Sequence, residues 1–66
     1  MKIVFFHTKK EIEIRGGRKV RDILKELQLS PEAWLVSKDG ELITMDEWIE
    51  DGETVLLIPV VSGGSL

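Results

Sequence analysis

Thr54-Val55-Leu56-Leu57-Ile58-Pro59-Val60-Val61 is the longest apolar run in the sequence, and it passes directly into Ser62-Gly63-Gly64-Ser65-Leu66. Its β-branched content and the Asp51-Gly52 turn signal just upstream predict the central strand of a sheet. The glycine pair does little for a fold, because glycine loses more backbone freedom on ordering than any other residue. It makes sense as a slim tail threaded into a narrow site of another protein, where a Cβ would collide. The candidate reactive group is therefore the carboxyl end of Gly64. Ser65 and Leu66 stand in its way.

Working back from that run, the chain alternates strand and turn signals around one helix. Lys2-Ile3-Val4-Phe5-Phe6-His7 is β-branched and aromatic, and Glu11-Ile12-Glu13-Ile14-Arg15 alternates polar and apolar after the Thr8-Lys9-Lys10 turn. Together they predict an amino-terminal hairpin, broken by Gly16-Gly17. Val20, Ile23, Leu24 and Leu27 fall at i, i+3, i+4 and i+7, the buried stripe of a helix over about residues 19–28. Ser30-Pro31 is expected to end it. Ala33 to Ser37 reads as a short strand, Asp39-Gly40 as a two-residue turn, and Glu41-Leu42-Ile43 as its return. Thr44-Met45-Asp46-Glu47 has the capping-box pattern, which predicts one helical turn carrying Met45, Trp48 and Ile49.

The order is β-β-α-β-β-(short helix)-β, an α+β chain with a mixed sheet and one main helix packed on one face. The helical crossover allows the first and last strands to lie side by side and parallel. That is a β-grasp, or ubiquitin-like, architecture. Residues 1–61 are expected to form the domain and residues 62–66 a flexible tail.

Composition narrows the function classes. Sixty-six residues allow one small core, and hydrophobic and charged contents of 42% and 32% are ordinary for a globular chain. No apolar run approaches the roughly 18–20 residues of a membrane span, and no signal-peptide core is present, so a cytoplasmic protein without membrane contact is expected. The sequence has no cysteine and one histidine, His7. Disulfides, thiolate zinc sites and cysteine nucleophiles are excluded, and no metal site is expected. No nucleophile–base pair presents itself, so no catalytic residues and no bound cofactor are assigned. The net charge of −3 is unevenly distributed: residues 1–25 hold eight Lys/Arg against three acids, whereas residues 26–66 hold Lys38 against nine. An acidic surface from the second half would repel nucleic acid and suit a basic protein partner.

In this order the segments resemble the ubiquitin-like sulfur carriers: those of thiamine synthesis, the small subunit of molybdopterin synthase, and the carriers that thiolate transfer RNA. The features that carry the resemblance are Lys19-Val20-Arg21-Asp22-Ile23-Leu24, Asp39-Gly40-Glu41 with Leu42-Ile43, the Trp48 segment, Asp51-Gly52-Glu53-Thr54-Val55, and Pro59-Val60-Val61-Ser62-Gly63-Gly64. Length and the Trp48 segment are closer to the thiamine type, and the ending is closer to the molybdopterin type. The resemblance implies a protein that is a substrate rather than an enzyme. A partner adenylyltransferase like the ubiquitin-activating enzymes would use ATP to adenylate the Gly64 carboxylate. A sulfur donor protein would supply a persulfide to form a thiocarboxylate, and an acceptor synthase would consume it. Two other readings use the same body: a protein modifier conjugated through Gly64, and an interaction module whose tail is never activated.

The departure from the family pattern is at the end. An amide carbonyl between Gly64 and Ser65 has no oxyanion to attack the α-phosphate of ATP. Ser65-Leu66 is expected to be an extension removed by a processing protease, with a cloning remnant as the alternative.

Strand alternation predicts a second site. If Ile3, Phe5, Val55 and Leu57 face the helix, then Val4, Phe6, Leu56 and Ile58 form an apolar patch on the open face of the sheet, with Pro59 beside them. Small domains seldom expose such a patch without a partner, so it is assigned as a partner-docking surface; homodimerisation and a slip of register are the rival readings. Arg15, Arg18, Lys19 and Arg21 read as a solvated basic face, some of it paired with the acids of residues 46–53. Those acids lack calcium-loop spacing. Trp34 and Trp48 read as packing residues and His7 as a strand-end side chain.

Overall fold

The computed structural model describes residues 1–60, so the assignments on Gly63, Gly64, Ser65 and Leu66 lie outside the described residues. In chain order the elements are β1 (Lys2–Phe5), β2 (Lys10–Glu13), β3 (Arg18–Lys19), α1 (Val20–Glu26), β4 (Trp34–Lys38), β5 (Glu41–Ile43), β6 (Trp48–Ile49) and β7 (Thr54–Pro59). Five of the strands form one mixed sheet in the order β2-β1-β7-β4-β5, and β3 pairs with β6 in a small second sheet. The expected parallel neighbours are present: β1 and β7 run together with Ile3 beside Val55 and Phe5 beside Leu57. β7 is the middle strand, and α1 covers one face. This is the β-grasp arrangement.

The helix-side face holds the core. Ile3, Val36, Val55 and Leu57 from the sheet meet Val20, Ile23 and Leu24 from α1, with Ile49 and Met1 closing the ends. All are buried because period-2 alternation in the strands and the 3–4 spacing in the helix put each on the shared side. Asp39 (φ 55°) and Gly40 (φ 82°) make the two-residue β4–β5 turn, both residues in the left-handed region that this turn type requires.

Two local expectations are corrected. Residues 44–47 form a turn, closed by the Glu47 N–H on the Thr44 carbonyl at 3.2 Å, and Trp48–Ile49 is a strand rather than part of a helix. The reason lies in α1, which has no side-chain cap at Lys19. Its first N–H groups are taken instead by carbonyls of the 44–47 segment: Val20 donates to Glu47 (2.9 Å) and Arg21 to Met45 (3.0 Å). Carbonyls used this way cannot point along a helix of their own, so orphan donors of α1 hold the segment open.

The helix also ends before Ser30-Pro31. Leu29 N–H reaches the Leu24 carbonyl (2.8 Å) and Gln28 N–H the Lys25 carbonyl (3.0 Å), with Gln28 at φ 61°. That is a Schellman cap, with glutamine where glycine is usual.

Gly16 is the tightest point of the fold. A Cβ there would lie 2.5 Å from the backbone nitrogen of Asp51, so no larger residue fits without moving main chain. Gly16 N–H donates to Asp51 Oδ1 at 2.7 Å, and the Met1 ammonium sits 3.7 Å from the same oxygen while donating to the Ile14 carbonyl at 3.0 Å. One carboxylate thus joins the chain start, the β2–β3 connection and the β6–β7 turn.

Candidate functional site

The face of the sheet opposite α1 carries the alternate residues. Val4 lies beside Leu56 across the parallel β1–β7 ladder, and Ile58 lies beside Leu35 across the antiparallel β7–β4 ladder. Val4, Leu56 and Ile58 are half-buried, whereas Phe6 and Leu35 are 54% and 44% exposed. The Phe6 N–H continues the ladder onto the Leu57 carbonyl at 2.9 Å, which brings this residue to the Ile58 end of the face. Four of the five residues assigned to the docking surface are therefore brought together.

Pro59 is the exception. It pairs with Trp34 and alternates onto the same side as Leu57 and Val36, the helix-side face. Leu35 takes its place on the open face, and the exposed Leu42, opposite Ser37, extends the face toward β5. Both were within reach of the sequence: alternation from Val36 turns Leu35 outward, once β4 is known to flank β7.

The face is apolar at one end and charged at the other. Lys2, Glu11 and Glu13 line its β1–β2 corner, with Lys2 Nζ 3.5 Å from Glu11 Oε1. The apolar residues lie toward the carboxyl end of β7, where Val60 leaves the sheet with its N–H on the Ala33 carbonyl at 2.8 Å. On the other side of that exit Phe5, His7 and Trp34 pack together, Trp34 edge-on to Phe5 at 5.8 Å and tilted against His7 at 5.6 Å. Trp34 is thus a packing residue. Trp48 is half exposed, its indole N–H on Glu50 Oε2 at 2.8 Å.

The basic residues before and within the helix are partly paired. Arg18 Nη1 lies 2.5 Å from Glu26 Oε1, and Arg21 pairs with Asp46, one of the acids of the 46–53 stretch. Lys38 sits 3.3 Å from Glu53 and 3.6 Å from Glu47. The hydrogen bond to Glu53 is the main cause holding the Lys38 ammonium above the ordinary lysine pKa. Glu53 is held below the ordinary carboxylate value, first by the Glu50 N–H at 2.8 Å and then by Lys38. Among the described residues no cluster has the makings of a metal site, and no helix is long and apolar enough to cross a membrane.

Residues 3–64, from β1 through the Gly63-Gly64 pair of the sequence, match the ThiS family. The chain belongs to the ThiS family. This is the sulfur-carrier family that the motif order resembles, and the match extends through Gly64. Sulfur carrier protein TtuB of Thermus thermophilus is 34% identical over 56 residues, covering 85% of this chain and 86% of the relative. An uncharacterised protein of Archaeoglobus fulgidus is 38% identical over 65 residues, covering 97% of this chain and 94% of that one. Members of such a family are small carrier proteins.

Proposed function

We propose that this ThiS-family protein carries sulfur as a thiocarboxylate on Gly64, for thiolation in thiamine, molybdopterin or transfer-RNA chemistry. The observation that carries this reading is the family match, which spans the chain through Gly64. Geometry supports it: β7 carries the apolar face up to Val60, so a partner seated on Val4, Phe6, Leu35, Leu56 and Ile58 reaches the end of the strand that precedes the diglycine in sequence.

The chemistry follows from a free Gly64 carboxylate. One of its oxygens attacks the α-phosphorus of ATP on the partner adenylyltransferase, and pyrophosphate leaves. The terminal sulfur of a donor protein's persulfide then attacks the acyl carbon and AMP leaves. A second thiol cleaves the resulting acyl disulfide, releasing the thiocarboxylate and a protein disulfide. The thiocarboxylate sulfur passes finally to the acceptor synthase. This chain contributes no catalytic side chain to those steps; it supplies the docking face and the slim terminus. Residues following Gly64 must first be removed, and a processing protease is assigned that task.

The test compares the chain ended at Gly64 with the chain retaining Ser65-Leu66, each incubated with ATP, the adenylyltransferase of the same organism and a persulfide donor. Pyrophosphate exchange and a mass gain equal to replacing oxygen by sulfur are expected only for the Gly64-ended form. The retained form should become competent after treatment with cell extract. Efficient activation with Ser65-Leu66 still attached would refute the processing step. Gly64 isopeptide remnants on other proteins, without thiocarboxylate, would point to the modifier role.

A further inference from the structure

Charge differs between the two ends of the sheet. The end from which Val60 leaves is built by the Phe6–Lys9 turn and residues 28–33, tied to β7 through the Phe6 and Val60 N–H groups. There the exposed Lys9 and Lys10 stand against Glu32. The far end holds Glu13, Asp39, Glu41, Glu50, Asp51 and Glu53 against Lys2, Arg15, Lys38 and the Met1 ammonium. Lys2, Arg18, Arg21 and Lys38 each have an acidic partner, whereas Lys9, Lys10, Arg15, Lys19 and Lys25 form no salt bridge among the described residues; of these, Lys9 and Lys10 follow directly on the turn tied to β7.

Backbone geometry adds a second observation. Lys9 is held at φ 61°, the left-handed region where glycine sits without a Cβ penalty. Its N–H is fixed on the Phe5 carbonyl at 2.7 Å, so the turn keeps that conformation whatever the side chain. The side chain itself is exposed and contributes nothing visible to packing. A lysine there is costly to the fold and puts a cation at the end of the sheet from which Val60 leaves.

We propose that Lys9 and Lys10 form a docking contact that steers the tail end of this carrier onto an acidic rim beside the tail-receiving site of its partner. The inference rests on the proposed activation of Gly64 and specifies the partner: a protein surface bearing Asp or Glu carboxylates around the tail entrance. A net-negative chain with cations at one end turns that end toward negative potential, raising the rate of productive encounter. Contacts of this kind act on association more than on the seated complex, and salt weakens them.

The experiment uses the Gly64-ended chain and the adenylyltransferase, measuring pyrophosphate exchange at low and high ionic strength. Lys9→Gly should raise the melting temperature by relieving the backbone, yet raise KM for the carrier. Lys9→Gly with Lys10→Ser should raise KM about tenfold at low salt, leave kcat unchanged and flatten the salt dependence seen with the unaltered chain. Gln28→Gly is the control: it relieves the same backbone conformation without changing charge, so stability should rise and KM stay constant. An unchanged KM and salt dependence in the double variant, with the unaltered chain active, would overturn the docking contact. Absence of activation in the unaltered chain itself would overturn the proposed function, and the contact with it.

Discussion

Along β7, Val55 and Leu57 are each about 1% exposed, whereas Leu56 and Ile58, one position away, keep part of their surface in water. The first pair lies in the core against α1, and the second lies on the bare face beside Val4 and Leu35. Composition does not distinguish the two pairs; sheet coverage does. One face supplies the free energy of folding, and the other leaves apolar surface in contact with water.

The largest test of that contrast is Leu57→Ala. It empties a fully enclosed site, and a loss of about 2–5 kcal/mol is expected from chemical unfolding. Gly16→Ala probes a different kind of tightness, since the new methyl meets main chain at Asp51. Overpacking of this sort costs roughly 1–3 kcal/mol, read as a lower urea midpoint. Ile58→Asp on the bare face should change stability by no more than about 1 kcal/mol while weakening capture by the adenylyltransferase, measured by titration calorimetry. A large loss of stability there, or unchanged affinity, would erase the distinction between the faces.

The smallest effect is the pH dependence of the Lys38–Glu53 link, where both side chains reach solvent and screening is strong. Glu53 is lowered, so its contribution is full above the ordinary carboxylate range and disappears as pH falls through its depressed value. Lys38 is raised, so its contribution is full below the ordinary lysine value and disappears as pH rises through its elevated one. Melting temperatures of the unaltered chain and Lys38→Met should therefore differ by a constant amount through the neutral range and converge at both extremes.

What the sequence made legible was local. The hairpin, the Val20–Leu27 stripe and the Asp39-Gly40 turn each follow from residues close together, and the parallel meeting of β1 with β7 follows from their order. Residues 44–47 carry a capping box that the fold overrides, because α1 takes their carbonyls from across the chain. The helix stop was hidden for another reason: Gln28 occupies a left-handed cap position that a glycine would have advertised. At the candidate site, Val4, Phe6, Leu56 and Ile58 follow from alternation within two strands. The side of Pro59 follows from that same alternation, two positions after Leu57, whereas Leu35 needed the identity of β7's other neighbour, which no single strand's pattern contains.

The pairing of Ile3 with Val55 has a consequence for timing. β1 waits for β7 before it has its inner neighbour, so all the residues between them must exist before the sheet can close. Closing so long a loop ahead of the contacts that reward it slows folding relative to helical chains of this size. A nascent chain halted before residue 54 has its hairpin and helix stripe but no centre for them to pack around, and proteases should digest it readily. Release of a folded carrier is therefore tied to completion of β7, the strand that leads into the diglycine.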